Sequence, residues 1–186
     1  MKIKRLAILP ARSGSKRIKN KNIKIFNDKP MIHHILNKLL KSKLFSKIHV
    51  STDSKKISKI SEKVGIKNDF YRPKNLSDDH TSLIEVAKFV YSKYVKLKYE
   101  FDEIWIILPC SPFIKIRDLR KIVKILSLNK TNVITVSEFI TPVEWAFQIK
   151  ENKFLTPLNK INFKKRSQDI KKKYYDTGNI LALPTK

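Results

Sequence analysis

Residues 10–17 read Pro10-Ala11-Arg12-Ser13-Gly14-Ser15-Lys16-Arg17, and Lys21-Asn22 follow shortly after. One glycine, two serines and three cations precede that lysine. Backbone N–H groups, hydroxyls and cations converging in one loop suit a polyphosphate. The loop is not a Walker loop, which ends Gly-Lys-Ser/Thr, nor a Rossmann Gly-x-Gly-x-x-Gly turn. On residue types alone, a solvated basic loop is the alternative. Glycine usage sharpens the polyphosphate reading. The chain has only three glycines, Gly14, Gly65 and Gly178. Gly65 reads as a helix cap. Gly14 and Gly178 stand in polar loops beside strands, where a positive φ or a close backbone approach to a ligand is expected, with a plain tight turn as the alternative.

Other polar clusters carry a weaker signal. Ser51-Thr52-Asp53 ends a strand, and Asp53 or Ser54 reads as a helix N-cap. Arg72-Pro73 and Ser77-Asp78-Asp79-His80-Thr81-Ser82 follow a third strand region, with Ser77 or Thr81 as further cap candidates. The adjacent Asp78 and Asp79 could bind a metal or simply be solvated. The histidines and Cys110 show no zinc-ligand spacing, and no Gly-x-Ser-x-Gly elbow is present.

The elements that must position these residues alternate between strand and helix. Arg5–Leu9, Lys47–Thr52, Glu103–Leu108 and Asn132–Val136 are short apolar runs that read as strands. Met31–Leu40, Ser54–Val64, Ser82–Tyr94 and Asp118–Leu128 carry apolar residues at helical spacing. The alternation predicts an α/β fold with a mostly parallel sheet and helices on both faces. Ligands of such sheets bind beyond the carboxyl ends of the strands, which is where the loops above lie. After residue 137 the rhythm changes. Ala146–Lys150 and Lys153–Thr156 read as a hairpin around Glu151-Asn152, a basic stretch Lys164–Lys173 follows, and Asn179–Leu183 reads as a returning strand.

The 186 residues fit a single domain, 1–186, with a hairpin extension at about 138–165. No apolar run reaches the length of a membrane span. The N-terminal run is too short for a signal peptide, and the single cysteine suits a reducing cytoplasm. The net charge of +25 rests on 34 Lys and 7 Arg spread along the chain. Lys, Ile and Asn are heavily used, which points to compositional drift. A basic surface for nucleic acid is the alternative, but no aromatic-basic stacking motif supports it.

Leu9–Asn22 closely resembles the N-terminal signature of the acylneuraminate cytidylyltransferases, the CMP-sialic acid synthetase superfamily. Asn27–Met31, Val50–Asp53, Arg72-Pro73, Asp78–Thr81 and Leu108–Pro112 continue in register, so the resemblance covers nearly the whole chain. Ser77–Thr81 and Arg166–Asp169 followed by Tyr175–Asn179 are closer to the pseudaminic acid branch. The sialic branch typically has Gln and Arg where this chain has Leu108 and Ile114.

The resemblance implies a Rossmann-like nucleotidyltransferase fold with a projecting hairpin. It implies transfer of CMP from CTP to an acidic nine-carbon sugar, with Mg²⁺ or another divalent cation and release of pyrophosphate. By position in the motifs, Lys21 and Arg12 would be catalytic. Ala11, Arg12, Gly14, Ser15, Lys21, Asn22, Arg72 and Thr81 would bind nucleotide, and Arg166, Gln168, Tyr175 and Asn179 the sugar. The family's chains usually continue into a tail with an Asp-x-Asp type metal site and a closing helix. This chain ends at Lys186, so the metal ligands stay unassigned, with Asp176 as a substitute candidate. A truncated product, a differently assembled metal site or lost activity are the readings this leaves, a catalytically inactive nucleotide-binding remnant among them. The resemblance further implies a homodimer, and the residues themselves lead us to expect a cytoplasmic protein with no membrane or nucleic-acid partner.

Overall fold

Arg5–Pro10 forms the first strand, β1, and Leu6, Ala7, Ile8 and Leu9 are all fully buried. Burial on both sides is what a strand covered by helices on two faces requires. The computed structural model describes residues 3–151 and 153–185. Two short strands, β2 (Ile25–Phe26) and β3 (Lys29–Pro30), follow. They form a hairpin whose two turn residues, Asn27 and Asp28, both have positive φ (45° and 61°). That is the backbone of a type I′ turn, for which Asn and Asp are suited. Next come helix α1 (Met31–Ser42), strand β4 (Lys47–Ser51), and helices α2 (Lys55–Glu62) and α3 (Leu83–Lys96). Strand β5 (Glu103–Ile107), helix α4 (Ile116–Asn129) and strand β6 (Val133–Glu138) follow. Strands β7 (Phe147–Ile149) and β8 (Leu155–Pro157) precede the long strand β9 (Tyr174–Pro184).

The main sheet has the order β4-β1-β5-β9-β6. β1 pairs in parallel with β4 and β5, and β9 runs antiparallel to β5. Side-chain alternation divides the core in two. Ala7, Leu9, Trp105 and Ile107 pack with Ile32, Ile35, Leu36 and Leu39 of α1, Ile57 of α2, and Leu119, Ile122 and Leu126 of α4. Leu6, Ile8 and Ile106 point to the other face and pack with Ala87, Val90 and Tyr94 of α3. Three helices therefore cover one face and one covers the other. The expected mainly parallel sheet with helices on both faces is what forms. The helix ends follow local chemistry. Ser54 accepts from the Ile57 N–H and Ser82 from the Glu85 N–H, as N-caps do. Gly65 turns with φ of 85° after α2.

One expectation fails. No strand forms between α2 and α3 among the described residues. The segment before Arg72 is held by side chains instead. Ile66 joins the first cluster, while Phe70 stacks on His49 at 4.4 Å and packs with the second. The Arg72 N–H then donates to Thr52 O at 2.8 Å.

The chain divides into two compact units, residues 1–134 with 179–186 and residues 135–178. Within the second, β7 and β8 form the expected hairpin, with Phe147 opposite Pro157 and Ile149 opposite Leu155. The Asn152 of its predicted turn lies outside the described residues. Phe147 meets Phe163 edge-on at 5.0 Å, and Phe139 meets Tyr175 likewise. No helix among the described residues is long and apolar enough to cross a membrane.

Candidate active site

β1 ends at Pro10, and the chain beyond it is pinned before it opens into the loop. The Ala11 N–H donates to Ser51 O at 2.8 Å, and Ala11 is fully buried. Ser13 gives Asp53 two bonds, from its N–H (2.8 Å) and its hydroxyl (2.6 Å). Burial pushes the Asp53 carboxyl up, but the bonds from Ser13 outweigh it and leave it lowered. Asp53 is therefore the anchor of the phosphate-type loop, and Ser54 is the helix cap. The loop closes on a 3-10 turn at Lys21–Ile23, entered through Asn20 at φ 55°. Asn22 is buried. Its amide donates to Arg12 O at 3.1 Å and its carbonyl accepts from the Cys110 thiol at 3.4 Å.

A cavity of about 510 Å³ opens at the carboxyl end of β1. Arg12, Ser15, Lys16, Lys21, Asn22, Arg72 and Thr81 contribute polar groups, and Ile18, Leu83, Val86, Leu108 and Pro109 an apolar wall. Arg72 is buried. Its guanidinium donates to Ser51 Oγ at 3.2 Å, to Ser51 O, and to Leu76 O at 3.4 Å. Burial pushes it down to about 10, with Asp53 opposing and Arg12 adding to the effect, so it stays a cation at neutral pH. Arg12 and Lys16 share the carboxylate of Asp79. Among the described residues Lys21 has no carboxylate partner. Burial raises the Cys110 thiol, with Lys21 opposing, so the group facing this cavity is a neutral thiol at neutral pH.

The structure thus gathers Arg12, Ser15, Lys21, Asn22, Arg72 and Thr81 around one cavity. Gly14 lacks the positive φ that is one of the two reasons expected for it. It is exposed, and an added Cβ would meet only the Arg12 guanidinium end at 3.6 Å. The positive φ is found at Gly178 (66°), which lies not in a loop but within β9. Asn179 belongs to the first unit, where its side chain accepts from the Ser111 hydroxyl at 2.7 Å and its carbonyl from the Leu108 N–H.

Arg166, Gln168, Tyr175 and Asp176 belong to the second unit. There Arg166 donates from Nε to Asp169 at 2.9 Å, the Ser167 hydroxyl lies 3.4 Å from the Gln168 side-chain oxygen, and Asp176 accepts from the Gly178 N–H at 2.7 Å. Sequence reasoning missed the roles of Asp53, Asp79 and Cys110. Their signals were only positional, each following a strand or preceding a helix.

No group of three or more His, Cys, Asp or Glu able to hold a metal occurs among the described residues. The carboxylates near the cavity are already engaged, Asp53 by Ser13, Asp78 by its own loop and Asp79 by two cations. A preformed protein cage for a divalent ion does not fit these residues.

Comparison with known proteins bears on the family and the fold. The sequence profile of the family described as Cytidylyltransferase matches residues 6–182. A pseudaminic acid cytidylyltransferase of Campylobacter jejuni is 32% identical over 177 residues, covering 95% of this chain and 76% of that protein. A CMP-N,N′-diacetyllegionaminic acid synthase of Legionella pneumophila is 32% identical over 77% of this chain and 62% of its own. Among solved structures, a CMP:2-keto-3-deoxy-manno-octonic acid synthetase complexed with CTP superposes with a TM-score of 0.70 at 18% identity. It covers 97% of this chain and 74% of its own, a likeness of fold.

Proposed function

The chain belongs to the cytidylyltransferase family, and from that membership we propose that it transfers CMP from CTP to an acidic nine-carbon sugar of the nonulosonic type, pseudaminic acid first, with legionaminic and sialic acids as the other candidates. The sugar's anomeric hydroxyl attacks the α-phosphorus and loses its proton to solvent, the new P–O bond forms, and the bond to the β-phosphate breaks to release pyrophosphate. What such a reaction asks of the protein is positioning and neutralisation of charge spread over the phosphates.

The observation that carries this reading is the cation set lining one cavity at the end of β1, with Lys21 free of any carboxylate among the described residues. On this reading Lys21 and Arg12 stabilise charge on the triphosphate. Ser15 and the loop backbone add hydrogen bonds. Asn22, through its bond to Arg12 O, keeps the loop in register. Arg72 supplies a buried, fixed positive charge, and the apolar wall of Leu83, Val86 and Leu108 suits a base. Arg166, Gln168, Tyr175 and Asn179 are the proposed sugar-facing residues, since a guanidinium matches a carboxylate in two places. Mg²⁺ would supply further phosphate neutralisation, although the described residues form no cage of their own for it. No step here depends on a site for it. A cytoplasmic enzyme working as a homodimer through the second unit's hairpin completes the reading.

The test is an assay of CTP with pseudaminic, legionaminic and sialic acids in turn, with Mg²⁺, detecting pyrophosphate. Release with one of these acids, and none without it, is expected. No release with any of them, from a chain that still binds CTP, would reject the transferase reading.

A further inference from the structure

Asp78 and Asp79 are neighbours in sequence and line the same cavity, yet they are engaged in opposite ways. Asp78 closes its own loop. Its Oδ1 accepts from the His80 N–H (2.9 Å), the Thr81 N–H (2.7 Å) and the Thr81 hydroxyl (2.8 Å). Asp79 stands outside that ring. Its Oδ1 accepts from the Arg12 guanidinium, and its Oδ2 pairs with Lys16 Nζ at 2.5 Å. The hydrogen bond from Lys16, then that from Arg12, hold its carboxyl down at about 2, so it is an anion at every working pH.

Two oxygens of one anion, bridging two cations of a loop suited to polyphosphate, occupy the position that a phosphoryl group would take. The three side chains are also solvent-accessible, with Lys16 the most exposed. Exposed ion pairs of this kind are weak and open easily. A polyphosphate carries more charge than a carboxylate, and it can engage Lys21 and Arg72 as well. It would therefore outcompete Asp79, whereas a singly charged anion would gain little over it.

We propose that Asp79 is an internal counter-anion: it holds Arg12 and Lys16 in the absence of nucleotide, is displaced by the incoming triphosphate, and takes the two cations back as pyrophosphate leaves. This rests on the reading of the cavity as the triphosphate site. Asp79 thereby sets how tightly polyphosphates bind and how readily pyrophosphate departs. It keeps the loop neutralised and ordered between turnovers, at the cost of some affinity.

The test is Asp79→Asn in the full chain, which removes the charge and keeps the shape. Inorganic pyrophosphate and CTP are titrated calorimetrically against wild type and variant without divalent metal. The expected result is roughly three- to tenfold tighter binding of both by the variant, the range open to two exposed ion pairs. Salt should also weaken binding more steeply in the variant, since the site carries one more net positive charge. Unchanged or weaker pyrophosphate binding in Asp79→Asn, with its melting temperature intact, would overturn the counter-anion role and make Asp79 a support for Arg12. A variant that melts early is replaced by Asp79→Ser, for which the same tightening is required. Wild type that binds neither CTP nor pyrophosphate would overturn the triphosphate reading of the cavity, and the counter-anion with it.

Discussion

The two compact units are both rich in lysine, and their cations stand in different circumstances. In the first unit the loop after β1 is tied to Asp53, Ser51 and the buried Asn22, so its charges are aimed at a cavity. In the second unit Lys160, Lys164, Lys165, Arg166 and Lys171–Lys173 are exposed, and three of them have nearby carboxylates: Arg166 with Asp169, Lys172 with Glu138 and Lys173 with Glu144. A solvated cation in water contributes little to stability or binding, while a fixed one facing a low-dielectric cavity contributes much. The contrast teaches that the net charge of +25 is a poor guide to where chemistry occurs. Anchoring of the backbone that carries the charge is the better guide.

The largest effect expected from that contrast is at Lys21. Loss of a single electrostatic group aimed at a developing charge typically costs on the order of 100-fold in rate. Lys21→Ala should therefore cut turnover about 100-fold or more, with a melting temperature close to wild type, because Lys21 has no ion pair to lose among the described residues. Steady-state kinetics with CTP and the accepted sugar measure it. Turnover within a few-fold of wild type would remove Lys21 from the chemistry.

A second effect separates the units by pH. His49 is buried in the first unit, and Tyr94 gives its one proton to Asp69. His49 Nδ1, 3.1 Å from the same phenol oxygen, must then donate to it, which leaves Nε2 as a buried bare acceptor. Burial lowers its pKa from 6.5 to about 4, with Asp69 opposing and Lys47 and Arg72 adding to the fall. The unfolded chain therefore binds a proton that the folded chain refuses as pH drops from 6.5 towards 4. Stability is complete above 6.5 and declines through that window, by roughly 3 kcal/mol in all if His49 acts alone. The aspartates whose values are lowered start from 3.8 in the unfolded chain, below this window, while the lowered Glu85 and Glu144 start from 4.5 and contribute at its acid end in wild type and variant alike. Urea midpoints at pH 7 and pH 5 should differ in wild type and differ less in His49→Gln. An equal loss in both would place the sensitivity elsewhere.

How much of this was legible follows the same line between local and assembled features. The four helices and the strands of the sheet were readable because periodicity is written into neighbouring residues, as with Ile32, Ile35, Leu36 and Leu39. The loop of Arg12 to Asn22 was readable as a polyphosphate loop because its residue types are contiguous. The two-residue hairpin at Asn27-Asp28 was also written locally, in two turn formers, and was passed over. Asp53 and Asp79 were not readable. Each acquires its role from a residue far away in sequence, Ser13 and Arg12, and no spacing along the chain announces such a pair. The segment before Arg72 misled for a related reason. Ile66 and Phe70 are apolar in an extended stretch, but they anchor to two different clusters and no strand ladder forms.

A smaller effect is expected at Arg166. Its guanidinium already pairs with Asp169 on an exposed surface, so the fold should be indifferent to Arg166→Lys, with a stability change within about 0.5 kcal/mol. If Arg166 grips the sugar carboxylate, loss of the planar fork should raise the sugar's KM several-fold and leave CTP affinity unchanged. An unchanged KM would make Arg166 one more solvated cation, and the contrast between the units would sharpen.

The smallest effect is at Gly14, and it bears on whether the loop acts through its shape or through its charges. A glycine kept for close approach to phosphate should tolerate no side chain. No protein atom puts such a constraint on Gly14. Its φ lies outside the left-handed region, and a Cβ would sit 3.6 Å from Arg12 Nη1, an ordinary contact with the end of a flexible side chain. The backbone cost of Gly→Ala at a compatible conformation is near zero or slightly favourable, since the unfolded chain loses freedom. Gly14→Ala should therefore leave the melting temperature within a degree or two and CTP affinity within about twofold, because Arg12 can yield without leaving the cavity. Calorimetric titration of CTP against the alanine and valine variants measures it. Tenfold weaker binding in Gly14→Ala, with stability intact, would mean that the bound nucleotide approaches the backbone at Gly14 after all. The loop's shape, as well as its cations, would then be part of the site.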